Sequence, residues 1–181
     1  VAVTDAGATD LGASTVSGTL GITSAGAVTD SGTLAVTGAT TISASGQDIT
    51  LDQAASTFGT LALTGANVAV TDAGATDLGA STVSGTFAIT SGGAITDSGT
   101  QAITGDATFT NTAGTDDAIT LDDASNAFGG TVTFATDSGS AVTIVDTTAL
   151  DLKALTAASL SVTAGGAVTD SGTLAIAGAT T

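Results

Sequence analysis

The chain has no cysteine, proline, methionine, tryptophan, tyrosine or histidine, and it carries one basic residue, Lys153. Each gap removes a class of chemistry. Without cysteine no disulfide staples the fold, which by itself says little about compartment. Without histidine or cysteine there is no ordinary nucleophile–base pair, and soft metals lose their usual ligands. With no arginine and a single lysine, nothing clamps a phosphate or a substrate carboxylate. Carbohydrate recognition loses its aromatic platforms, because Phe58, Phe87, Phe109, Phe128 and Phe134 are the only rings. No apolar run approaches the length that crosses a bilayer, so membrane insertion is not expected. Glutamate is also missing. All 17 acids are aspartates, and the net charge of −16 repels nucleic acid and anionic headgroups alike. There is no initiator methionine, charged leader or signal-like apolar segment, so the chain reads as an interior piece of something longer.

What remains is almost entirely Gly, Ala, Thr, Ser, Val, Ile, Leu and Asp. High charge with few aromatics can mean disorder. Here the apolar fraction of 42% and a mean hydropathy of +0.49 point instead to a narrow, continuous aliphatic core. The strongest signal is internal repetition. Residues 1–19, VAVTDAGATDLGASTVSGT, recur unchanged at 68–86. LGITSAGAVTDSGT (20–33) returns as FAITSGGAITDSGT (87–100), and LSVTAGGAVTDSGTLAIAGATT (160–181) matches 20–41. DITLDQAASTFG (48–59) pairs with AITLDDASNAFG (118–129). The chain therefore divides into repeats of about 1–67, 68–140 and a partial 141–181 within one continuous unit.

A shorter period runs inside the long one. Apolar-Thr segments close on aspartate at Asp5, Asp30, Asp52, Asp72, Asp97, Asp122, Asp146 and Asp170, at steps of roughly 20–25 residues. Apolar centres at Ile22, Val28, Val36, Ile42, Leu51, Leu61, Val70, Leu78 and Val83 recur every seven or eight residues. Val, Ile and Thr favour strands, while Ser31-Gly32, Gly38, Gly46, Gly65 and Gly74 stand where turns are wanted. No window carries a capped helical stripe, and dense Gly and Thr would penalise one. The expectation is an all-β parallel β-helix, a three-sided solenoid of about 8 turns of roughly 20–25 residues. Near-identical windings suit copied segments in a way that the unlike strands of a sandwich do not. Three turns, or nine strands, would fill each long repeat. The absence of proline fits, since interior strands donate hydrogen bonds on both sides.

Stacked in register, the eight closing aspartates would form a structural column down one corner. Ca²⁺ is the one cofactor that the sequence leaves open, because hard cations take oxygen ligands. The densest acidic patch, Asp116, Asp117, Asp122 and Asp123, is the candidate cation site, although the GGxGxD calcium nonapeptide is absent. The competing reading is that each Asp ends a strand and closes an Asx-type turn with the Ser-Gly or Ala-Gly that follows. Paired carboxylates could in principle cleave glycosides, but no basic or histidine partner accompanies them and no enzyme is expected. A regular Thr-x-Thr ladder of the ice-binding kind is not sustained in AVTDSGT, ITLDQA or TIVDTT.

The segments ITLDQAASTFGTLALTGANVAVTDAG (49–74) and TFAITSGGAITDSGT (86–100) resemble the repetitive body of filamentous-haemagglutinin-like exoproteins. These are bacterial surface adhesins, often exported by two-partner secretion, with a right-handed β-helical shaft. The resemblance covers essentially the whole chain. It implies a secreted, non-catalytic shaft or spacer at the bacterial cell surface, and transfers no functional residue. Its expected partners are further repeats of the same chain, other copies in a filament, or surface ligands held by other regions. A cation-binding solenoid and a self-assembling matrix filament are the alternatives.

Overall fold

A computed structural model describes residues 1–112, 117–136 and 139–181. Among the described residues every regular element is a β-strand, and every strand pairing is parallel. The chain winds as a β-solenoid of about eight turns. Nine strands stack into one sheet, from Thr9–Leu11 at the start to Val168–Asp170 at the end. Thirteen more form a second, branched sheet, and Leu155–Ala157 pairs with Leu174–Ile176 in a third.

The register fixes how much chain each winding takes. Up the nine-stranded sheet, Thr9 pairs with Val28, Val28 with Ile49, Ile49 with Val68, and Val68 with Phe87. The chain length per winding is not constant, since the winding from Ala107 to Val132 takes more residues than the one from Thr9 to Val28. The period-2 alternation of each strand drives this packing. In Val68–Asp72, Val68, Val70 and Asp72 point inward while Ala69 and Thr71 face outward. All nine apolar centres anticipated from the sequence are buried. Between Val68 and Phe134 the core also takes in aromatic rings: Phe109 lies 5.9 Å from Phe87, 6.1 Å from Phe128 and 5.7 Å from Phe134.

Two expectations need correction. Strands do not always stop at the corners. Leu34–Ser43 and Thr57–Gly65 each run across one, so Val36 and Ile42 share a strand, and Gly38 lies at a register shift rather than in a turn. The long repeat is also not three turns. Three windings carry Thr9 up to Val68, whereas the copy of Thr9 in the next repeat is Thr76. The surplus chain, from Val68 to Thr76, is about one side of the prism. Identical sequences consequently land on different faces: Ala2–Asp5 lies in the thirteen-stranded sheet, and its copy within Val68–Asp72 in the nine-stranded one.

Close approach of successive windings demands glycine at several corners. A Cβ on Gly26 would lie 2.6 Å from the Ala8 nitrogen, and one on Gly92 would collide with the Ala73 carbonyl. Gly46 is needed for another reason, since it turns at φ +76°.

Candidate functional site

Among the described residues the strand-closing aspartates are the groups whose chemistry stands out, and the phase drift between repeat and winding scatters them. Asp30, Asp72 and Asp170 end strands of the nine-stranded sheet, and Asp52 follows one; Asp5, Asp97 and Asp146 end strands of the thirteen-stranded sheet, and Asp122 follows one. The ladder partner of Asp5 is Ser24, that of Asp72 is Ser91, and that of Asp146 is Ala164. A single column of eight carboxylates does not form. One winding brings Ser24 over Asp5, and the chain has moved on to the next face by the time it reaches Asp30.

Two adjacent pairs do meet across windings. The Asp52 amide donates to Asp30 Oδ1 at 2.9 Å, and the Asp122 amide to Asp97 Oδ1 at 2.8 Å. The Asp97 carboxylate also accepts from Asn126 Nδ2 at 2.6 Å and from the Asp123 amide at 3.3 Å. Asp123 accepts from the Ser125 amide at 2.9 Å and from Thr100 Oγ1 at 3.1 Å. These acids serve as acceptors that close the corner. Of the proposed cation ligands, Asp116 lies outside the described residues, and the Asp117 carbonyl accepts from Asn111 Nδ2 at 3.3 Å. Among the described residues no three acidic groups converge as a metal site would require.

Asp5 and Asp72 close Asx-type turns of the same design on different faces. The Gly7 and Gly74 amides donate to the respective Oδ1 atoms at 2.9 Å. Thr9 and Thr76 hydroxyls lie 3.3 Å from the Oδ2 atoms, and 3.0 Å from Ser24 and Ser91 of the next winding. These threonines and serines were not singled out in the sequence, although the exact recurrence of 1–19 at 68–86 carried the signal. Asn126 and Gln101 were missed too. Gln101 Nε2 ties the Gly99 and Gly79 carbonyls, at 2.7 and 2.9 Å.

Burial distinguishes some of these acids. Asp30, Asp72 and Asp146 are 7%, 1% and 1% exposed. Burial pushes the Asp30 carboxyl above the ordinary range, with the nearby Asp52 charge adding to the effect, and Asp30 Oδ2 has no hydrogen-bond partner. Burial likewise raises Asp72, against the amide of Gly74 and the hydroxyl of Thr76. Exposed Asp106 moves down, held ionised by the Thr131 amide at 2.9 Å and, more weakly, by Lys153.

The outer walls carry threonine rows with a few aspartates among them, Asp10, Asp77 and Asp151 each standing mid-strand beside a threonine. Thr71, Thr90 and Thr110 occupy successive rungs of one face, and Thr96, Thr120, Thr143 and Ser161 those of another. No curated protein and no solved structure matches the chain. One family model does, in three consecutive segments, residues 1–64, 65–135 and 139–181. The matched repeats extend over nearly the whole length of the solenoid, and the chain belongs to the family described as repeats of unknown function (DUF5649).

Proposed function

We propose that this chain is a non-catalytic shaft segment of an extracellular bacterial surface fibre, of the filamentous-haemagglutinin-like kind that its repeats resemble. One observation carries the reading: a single parallel ladder runs from Thr9 to Asp170, with an apolar core beneath it, and the repeat needs no whole number of turns to continue it. Such a body sets distance and stiffness. Binding specificity belongs to other regions, and the partners of this segment are further windings of the same chain. No cofactor enters the proposal.

Length is the testable quantity. Inserting a second copy of residues 1–67 before the first adds about three and a third windings. At roughly 4.8 Å per rung the rod grows by about 16 Å at unchanged cross-section. Small-angle scattering reads both dimensions. A wider particle of unchanged length would count against a shaft. Location is tested separately, by antibody labelling of intact cells that express the parent protein; labelling only after lysis would remove the surface assignment.

A further inference from the structure

Hydrogen counting at the Asp72 corner leads to a bound proton. Thr76 Oγ1 stands 3.3 Å from Asp72 Oδ2 and 3.0 Å from Ser91 Oγ, and Ser91 Oγ stands 2.9 Å from the Gly74 carbonyl oxygen. That makes three oxygen–oxygen contacts in one chain. Two hydroxyls supply two hydrogens. With Asp72 ionised, one of the three contacts always lacks a proton, and two oxygens face each other unbridged in a site where Asp72 and Ser91 are 1% and 0% exposed. Bulk solvent does not reach the gap, and the Gly93 amide that donates to Ser91 Oγ at 3.3 Å supplies no hydrogen to the Thr76–Ser91 contact.

We propose that Asp72 is a proton-binding site, a neutral carboxylic acid that seals this corner of the folded shaft. Its Oδ2 hydrogen goes to Thr76 Oγ1, the Thr76 hydrogen to Ser91 Oγ, and the Ser91 hydrogen to the Gly74 carbonyl, so every contact is filled in one direction. Oδ1 keeps its bond from the Gly74 amide at 2.9 Å. The groups that face the carboxyl carry no countercharge, although three of them can donate to it and so favour the ionised form against burial. From the preceding winding comes the Phe58 amide, from its own corner the Gly74 amide and Thr76 hydroxyl, and from the next winding its ladder partner Ser91; no charged side chain is among them. No positive charge compensates a carboxylate there, and burial shifts the carboxyl in the matching direction. At Asp5 the same oxygen chain recurs, but there the carboxyl itself is only partly buried.

The consequence is a shaft that tightens in acid. A raised folded-state value means the contribution of Asp72 is complete below the unfolded carboxyl value and is lost as pH climbs through the folded one. Carbon-13 spectra of the side-chain carboxyls, followed against pH in the unaltered protein, test the site directly. The Asp72 signal, assigned by its disappearance in Asp72→Asn, is expected to titrate at higher pH than those of the exposed acids. Titration together with them would overturn the proposal. Thermal melting at pH 5 and pH 7, at constant ionic strength, gives a second reading. The amide of Asp72→Asn donates as the acid does, so this variant loses less melting temperature between the two pH values than the parent. An equal loss in Asp72→Asn and the parent would sink the idea.

Discussion

Phe109 packs against three other rings and is itself fully buried. Its ring partners come from other strands, so its loss opens a hole that no single strand can close. Truncation of a buried phenylalanine costs about 3–5 kcal/mol. Phe109→Ala is expected at the upper part of that range, because edge and stacked ring contacts disappear together with the volume. Urea denaturation measures it. A loss below about 1 kcal/mol would mean that the solenoid relaxes around the gap. Ring positions were only partly readable beforehand: Phe58 and Phe128 precede glycine at equivalent places, which suggested packing, but nothing local says that Phe87, Phe109 and Phe134 meet across windings.

Strands and corners were legible to different degrees, for a physical reason. Strand faces follow from alternation within a single short strand, as in Val68–Asp72, and the sequence states that directly. Corner lengths depend on how one winding sits on another. Nothing in LAVTGATTIS announces that Leu34–Ser43 bends through a corner without ending, and the Asp column failed for the same cause. The glycines make the dependence measurable. A Cβ at Gly26 meets Ala8 backbone atoms at 2.6 and 2.8 Å, while one at Gly12 meets nothing within 4 Å. Backbone cannot step aside as a side chain can, so Gly26→Ala should destabilise by about 1–3 kcal/mol. Gly12→Ala should fall within about 0.5 kcal/mol of the parent. Equal effects at the two sites, measured by the same urea titration, would show that the windings are not held as closely as the register indicates.

For the whole rod the dominant long-range term is its own charge, 17 aspartates against Lys153. Because the strand-closing acids are divided between two sheets, their repulsion is diffuse and is not concentrated in one row. Diffuse repulsion responds to screening: the Debye length falls from about 30 Å at 0.01 M to about 8 Å at 0.15 M ionic strength. Salt should therefore raise the melting temperature across that interval, by roughly 2–8 °C if about 1–2 kcal/mol is recovered in a chain of this size. The identity of the cation should matter little, since among the described residues no three acids converge on a point. Calcium chloride and sodium chloride at matched ionic strength are expected to give the same curve. A further, saturable rise with millimolar Ca²⁺ would instead mean that a few carboxylates gather around the ion, and the acids at Asp97, Asp122 and Asp123, already joined through backbone amides, would be the first to substitute by asparagine.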